Sequence, residues 1–500
     1  MIVMIVCVLI AGCIRLTRWL SIVQQKEYRW DRVRTYLFSV EGLREIVRFF
    51  PRMSDFTRTG LKRPKISARI AVVTLLSLII LCSLFYLVNT LLEARLAQTT
   101  SSQLVRCIIV LSFYICIPLI VLLSTIPTTI ISYVQTAGQL VVAKRKLNQH
   151  HPLIVGITGS YGKTATKQLL AHLLSQKQSV FVTPKSYNTR FSIARSILQQ
   201  YHSEKIVILE YGAYSRGEIA NLARWFQPSV AIITGLASQH LGLFGSKQAI
   251  IEAKSELIAA LPSDGAVFYN QSDQGAQTIV KMGVKKWQRK YGTKDGLTIT
   301  GCNSLISKNN FRFSLNSSGY LHVLQGNELI QTRLVGLQHA QTVELAATCA
   351  RSLNLADSSL LEALRSFEPS DNFIKLLKTK SGTTIIDDGG TANPVGFQAA
   401  LALLDHIVAE KKLLITPGIV DLGRESASIH TALALQSKSS ATMVLFVGWT
   451  GRTEFQAVFG DQCITNQAEI TTILHSLDSK DVVLIEGRMP GWVSQAIKTI

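Results

Sequence analysis

The 500-residue chain reads as an α/β protein in which N-terminal transmembrane helices precede a P-loop-type central domain and a Rossmann-like C-terminal domain. Three observations predict this class. Residues 70–92 and 107–143 are apolar and free of charge, and each exceeds the roughly 20 residues that a bilayer-spanning helix needs. From Pro152 onward, short apolar runs alternate with longer amphipathic stretches, the pattern of strands and helices layered around a largely parallel sheet. A glycine-rich loop ending in Gly162-Lys163-Thr164 follows the first of those runs and opens a helix.

The N-terminal part is read as residues 1–148 with three crossings, the first at 1–14. Pro118 and Pro127 fall inside the last stretch, which is better explained as one kinked or overlong helix than as two spans. Leu9-Ile10-Ala11-Gly12-Cys13 has the look of a lipoprotein cleavage box, but no basic segment precedes it. An uncleaved span with Arg15 and Arg18 snorkelling is the favoured alternative. Between Cys13 and Arg69 fourteen basic residues face five acidic ones, which places that segment, and everything after Lys144-Arg145-Lys146, on the cytoplasmic side. The expectation is a multi-pass protein of the cell (inner or plasma) membrane with cytoplasmic catalytic domains and the lipid bilayer as partner. Nearly half of the net charge of +20 is juxtamembrane, so anionic headgroups account for it and nucleic acid is not implied. The eight cysteines form no CxxC pair, which excludes the usual zinc and disulfide frameworks.

A central domain is expected over 149–368 and a C-terminal one over 369–500. In the first, strands are predicted at 153–158, 206–210, 230–234 and 266–270, and helices at 163–175, 217–226 and 247–260. Residues 292–331, rich in Gly, Asn and Ser, suggest antiparallel hairpins. Helices resume at 339–353 and 358–367, and strands at 383–387, 413–416, 443–447 and 482–485 mark the second α/β unit.

Gly159-Ser160-Tyr161-Gly162-Lys163-Thr164 is the strongest chemical signal. Glycines let backbone N–H groups turn toward a phosphate, the helix start adds partial positive charge, Lys163 neutralises phosphate oxygens and Thr164 can ligate magnesium. Ile157 stands where the longer P-loop spacing has its first glycine. Glu210 ends an apolar run, and a carboxylate at the C-terminal end of a parallel strand suits magnesium beside phosphates, though a solvated strand end fits equally. His240 alone would be read as a structural loop residue. Lys254 alone would be read as a solvated helix residue.

In order, the loop, Val182-Thr183-Pro184 with Tyr187-Asn188, Glu210-Tyr211-Gly212-Ala213 with Gly217-Glu218-Ile219, His240-Leu241-Gly242, and Ala253-Lys254-Ser255-Glu256 resemble the Mur ligases, most of all the branch that adds D-alanyl-D-alanine. The resemblance spans roughly 150–500. It implies a Mur ligase fold, ATP and Mg2+ as cofactors, a magnesium role for Thr164, Glu210 and His240, and a carbamylated Lys254. Catalytic roles fall to Lys163, Glu210, His240 and Lys254, and nucleotide contacts to Asn270, Asp388 and Asn393 as well as the loop. Thr416-Pro417-Gly418, Leu422-Gly423 and His430 also follow the family's pattern.

Departures from the pattern are informative. The family's phosphate-holding arginine is replaced within Asp371-Asn372, two asparagines after His339 by Ala340 and Val343, and a late lysine by Glu486. Arg365, Lys375, Arg424 and Arg488 are the candidates to compensate. The N-terminal domain that grips a uridine nucleotide has no counterpart, and the expected membrane spans stand in its place, which implies a membrane-held acceptor. The reading is a membrane-anchored ATP-dependent amide-bond ligase acting through an acyl phosphate on a cell-wall precursor or other carboxylate and an amine or amino acid. The alternatives are a catalytically weakened ATP-binding scaffold and a related ligase or amidating enzyme with a different acceptor.

Overall fold

Leu153–Thr158 (β1) and Ile206–Glu210 (β3) carry almost uninterrupted apolar side chains, as strands covered on both faces do. They pair in parallel at the middle of a six-stranded sheet. The computed structural model describes residues 2–38, 40–48, 51, 63–96, 102–237, 241–292, 296–371, 373–390 and 392–499, and these fall into two units, Met1–Gly138 and Gln139–Ile500.

In the second unit the remaining strands of this sheet are Val180–Val182 (β2), Val230–Ile233 (β4), Ala266–Asn270 (β5) and Thr298–Cys302 (β6), in the order β2-β3-β1-β4-β5-β6, all parallel. The helix after β1, Lys163–Ser175, packs on one face with Leu169, Leu170 and Leu173 buried against Val155 and Ile157. Helices Arg190–Gln200, Glu218–Trp225, Lys247–Ala259 and Gln274–Tyr291 cover the other face. Because β1 sends its chain to one face and both of its neighbours send theirs to the opposite face, a crevice opens at the C-terminal end of β1, where α/β folds bind ligands.

Phe311–Leu315 (β7), Tyr320–Gln325 (β8) and Glu328–Val335 (β9) form the expected antiparallel meander. Thr298–Cys302, expected among those hairpins, instead joins the parallel sheet as its edge. A second sheet orders Lys375–Lys378 (β10), Thr384–Asp388 (β11), Lys412–Thr416 (β12), Met443–Phe446 (β13), Cys463–Ile464 (β14) and Val482–Glu486 (β15) as β10-β11-β15-β12-β13-β14, parallel except for β10. Phe397, Leu401, Leu433 and Phe455 cover one of its faces and Ile470, Leu474 and Val493 the other.

The first unit is helical, with Ile2–Gln25, Trp30–Leu37, Val40–Val47, Ala68–Leu96 and the first part of Ser102–His150. Trp19, Val23, Val33, Val73 and Val121 are buried together in it. Arg15 does not snorkel: it is buried, and its Nη1 donates to the Arg48 carbonyl at 2.7 Å. Pro118 and Pro127 lie inside one continuous helix. The expectation of three crossings is corrected: among the described residues two helical segments, Ala68–Val88 and Leu111–His150, are long and apolar enough to cross a membrane. A core helix or a leader segment can be equally long and apolar.

Phe455 is fully buried with the rings of Phe397, Phe446 and Phe459 around it. Phe455→Ala is expected to cost about 3–5 kcal/mol in urea denaturation, the usual penalty for such a cavity. Leu435→Ala, on an exposed position, is expected to stay within about 0.5 kcal/mol of the natural chain.

Candidate functional site

The loop leaving β1 is shaped by close approach. A Cβ on Gly159 would lie 1.9 Å from Thr234 Oγ1, so only glycine lets the ends of β1 and β4 meet. Gly162 adopts φ 73° immediately before helix Lys163–Ser175, a left-handed conformation that glycine enters without strain. The first N–H groups of that helix have no intrahelical acceptor and are free to meet an anion. Ser160 N donates to the Gly235 carbonyl at 2.8 Å. The Tyr161 ring lies over Gly235, where a Cβ would come within 2.2 Å of it, and its hydroxyl donates to Asp273 Oδ2 at 2.7 Å. Burial, and then the Asp273 carboxylate, push the Tyr161 phenol above its usual range.

Two ammonium groups converge on one oxygen. Lys163 Nζ donates to the Gly159 carbonyl at 2.7 Å, and Lys254 Nζ donates to the same carbonyl at 2.8 Å. Lys254, on the helix after β4, is only 5% exposed. Burial and then the Lys163 charge hold it well below the usual lysine value. Burial also lowers Lys163, and Glu210 partly offsets that. The solvated reading of Lys254 is thereby excluded.

Glu210 is buried at the end of β3. Its Oε1 lies 2.8 Å from Lys167 Nζ, a buried ion pair, and its Oε2 has no hydrogen-bond partner. Lys167 also donates to the Thr183 carbonyl at 2.8 Å and to the Lys185 carbonyl. Burial lowers Lys167, and Glu210 opposes the shift. Sequence reasoning passed over this residue. The signal was its place four residues after Lys163, on the same helix face.

Thr164 Oγ1 is 3.1 Å from Ser186 Oγ. Asn270 is buried at the end of β5, its Oδ1 accepting from Ser272 N at 3.0 Å. His240 lies outside the described residues. Among the described residues no cluster of three His, Cys, Asp or Glu side chains could hold a metal. Magnesium, however, takes one or two carboxylates beside phosphates and waters, and the unpartnered Glu210 Oε2 with the Thr164 hydroxyl fits that donor set. Glu256 is committed elsewhere, accepting from Gly217 N at 2.7 Å and Ala220 N at 2.9 Å to cap a helix.

In the second sheet Asp388 and Glu486 sit side by side in register at the ends of β11 and β15. Burial, and then the Asp388 charge, raise Glu486 well above the carboxylate range, and Asp388 is pushed up to about 6, mainly by burial. Asn393 caps helix Pro394–His406, accepting from Gly396 N at 3.0 Å. No hydrogen bond or ion pair among the described residues joins Asp388 or Asn393 to the β1 loop. His430 accepts from Ile419 N at 3.0 Å, so it fixes the turn after β12. Of the compensating cations, Lys375 pairs with Asp371 and Arg365 with Glu328, while Arg424 and Arg488 are exposed.

Residues 157–350 match the family model of the Mur ligase middle domain. The matched region carries the β1 loop, Lys167, Glu210, Lys254 and Asn270 described above. A UDP-N-acetylmuramoyl-tripeptide--D-alanyl-D-alanine ligase from Synechocystis sp. is 33% identical over 304 residues, 59% of this chain and 61% of that protein. Its namesake from Mycobacterium tuberculosis is 28% identical over 306 residues, 60% of this chain and 59% of that protein. The chain thus spans about three fifths of the length of these curated relatives. Among solved structures, the MurF ligase from Thermotoga maritima in complex with ADP superposes with a TM-score of 0.59 at 23% identity over 71% of this chain and 80% of that one. MurF from Acinetobacter baumannii gives 0.61 at 20% identity, over 72% and 79%. At these identities the structures establish a shared α/β fold around the middle domain.

The same matches correct the N-terminal reading. They support an α/β fold like that of the Mur ligases over the matched region, and none of them shows a membrane region in place of an N-terminal domain. The expected transmembrane fold class, membrane anchoring, bilayer partner and multi-pass membrane localisation rested on apolar length and flanking charge alone, and they are withdrawn, together with the membrane-held acceptor.

The carboxyl pair has a pH signature. Both groups sit above their ordinary values, so the folded chain holds protons there that the unfolded chain has released. Their contribution to stability is full at acidic pH and is lost as pH rises through about 6 and beyond. Glu486→Gln keeps the shape and removes the conflict. The variant is expected to be about 1–2 kcal/mol more stable than the natural chain at pH 8, with the difference vanishing near pH 4 in parallel denaturation curves.

Proposed function

We propose that this chain is an ATP-dependent acid–amino acid ligase of the Mur type, joining a cell-wall precursor carboxylate to an amine or amino acid. The observation that carries the reading is the convergence of Lys163 and Lys254 on the Gly159 carbonyl beside Glu210, inside a region matched by the Mur ligase middle domain.

The roles follow from the chemistry. The β1 loop receives the ATP phosphates on its free N–H groups. Lys163, released from the Gly159 carbonyl, follows the charge that grows on the γ-phosphoryl group as it passes to the substrate carboxylate. The amine then attacks the acyl phosphate carbon, phosphate leaves, and the amine's surplus proton is lost to solvent or a nearby base. No side-chain nucleophile is required. Magnesium, held by Thr164, Glu210 and His240, would neutralise phosphate charge. Lys254 is suited to carbamylation because its depressed basicity leaves a lone pair to attack carbon dioxide, losing one proton and becoming an anion. Asn270, Asp388 and Asn393 are proposed to contact the nucleotide.

A specific observation favours one competing reading. Glu486 stands where the resemblance places a lysine, against a second carboxyl, so the chain is either a ligase that does without that cation or an ATP-binding scaffold with weakened catalysis. ADP and phosphate release decides between them. The ligase requires that both a carboxylate and an amine be present, and Lys163→Ala is expected to lower turnover at least about 100-fold, as loss of a phosphate-clamping charge does. ATP binding without turnover under any substrate pair selects the scaffold. Absence of ATP binding sinks both.

A further inference from the structure

Lys167 is a lysine with almost no access to solvent, in the middle of the helix that the β1 loop opens. Buried ammonium groups are rare and persist where their partners are specific. Its partners come from two places. One is Glu210 Oε1 at 2.8 Å, at the end of β3. The others are main-chain oxygens of the segment leaving β2, Thr183 O at 2.8 Å and Lys185 O. Lys185 has φ 48°, a left-handed conformation rare in residues with side chains. The next residue, Ser186, touches the Thr164 hydroxyl. One nitrogen therefore ties together the two groups proposed to face the cation: the carboxylate directly, through Oε1, and the hydroxyl through the segment beside it.

We infer that Lys167 is a positioning residue that holds Glu210 in a one-oxygen presentation, occupying Oε1 and leaving Oε2 for the cation that accompanies the nucleotide. This rests on the proposed ligase reading. The asymmetry is already present in the ion pairing: Lys167 Nζ lies 2.8 Å from Oε1, whereas the buried Oε2 has neither an ion-pair nor a hydrogen-bond partner, an arrangement that costs stability unless a ligand completes it. Lys163 stands close enough for its charge to be stabilised by Glu210 while its own nitrogen is turned back to Gly159. The phosphates of a nucleotide would draw Lys163 away from the Gly159 carbonyl. Lys167 cannot follow, because three backbone and side-chain oxygens of another segment hold it.

The test is steady-state ATP turnover by the purified full chain, supplied with UDP-N-acetylmuramoyl-tripeptide and D-alanyl-D-alanine, the compounds in the names of its relatives, across a magnesium titration, for wild type, Lys167→Met and Lys167→Arg, with rates normalised to folded protein by circular dichroism. In Lys167→Met turnover is expected to fall at least tenfold, because the carboxylate is no longer held. Half-saturating magnesium is expected to fall at least threefold, because no ammonium competes for Oε1. A folded Lys167→Met with wild-type turnover and magnesium dependence overturns the inference, as does a lower melting temperature with both kinetic values unchanged, which is what a purely structural lysine would give. Should Lys167→Met not fold, Lys167→Arg decides. It keeps the charge but cannot place one nitrogen on all the same oxygens, so turnover lowered at least fivefold supports the inference and wild-type turnover defeats it. A wild-type chain without magnesium-dependent turnover defeats the ligase reading itself, a result distinct from any of these.

Discussion

Three ammonium groups, those of Lys163, Lys167 and Lys254, crowd around the ends of β1 and β3 with one buried carboxylate, Glu210, for all of them. Water cannot screen the excess, since Lys167, Lys254 and Glu210 are each at most 5% exposed. Like charges in a low-dielectric setting must be relieved. Lys167 is relieved by pairing with Glu210, and Lys254 by losing basicity, as its position well below the usual lysine value reflects. Lys163, also lowered by burial, is balanced by the Gly159 and Ser160 carbonyls and a carboxylate already shared. A polyanion entering the crevice settles the imbalance, and so does a reaction that turns Lys254 into an anion. The site is thus strained toward the ligands its proposed chemistry uses.

This concentration of charge is possible because the backbone around it approaches more closely than side chains would allow. Gly159 meets Thr234, Gly235 lies under Tyr161, and Gly212 packs on Asn188, each at a distance that a Cβ would violate. These contacts draw the ends of β1 and β4 together and the end of β3 onto the segment after β2, and the Tyr161 hydroxyl extends the tie to Asp273 after β5. Asp273 in turn caps the following helix through Ala276 N and accepts from Leu236 N. The loop is held from both sides before any ligand arrives, which reduces the ordering cost of binding.

What the sequence made legible was what local pattern determines. β1, β3 and β5 and the helix Lys163–Ser175 lie where apolar runs and the glycine-rich loop place them. The spacing from Lys163 pointed to Lys167, but its burial was illegible because it depends on β2, three residues long and too short to announce itself, and on the turn after it. Residues 298–302 read as part of a hairpin region because a parallel edge strand has no local signature distinguishing it from an antiparallel one. Asn393 has a second use beside the proposed nucleotide contact, since its oxygen serves the helix that Pro394 begins, which Asn-Pro spells out directly. The apolar N-terminal stretches illustrate the opposite failure, in which a strong compositional signal is shared by several different structures.

The two sheets divide the electrostatic work unequally. The first gathers cations at the ends of its strands, whereas the second places Asp388 against Glu486, two carboxyls that resist ionising together. A carboxyl pair repels phosphate when ionised and offers it little when protonated. On the proposed reading, the second sheet of this chain therefore contributes shape and hydrogen bonds to nucleotide binding but little charge. The phosphates are left to the β1 loop and Lys163, which makes the charge balance around the Gly159 carbonyl the main determinant of phosphate affinity.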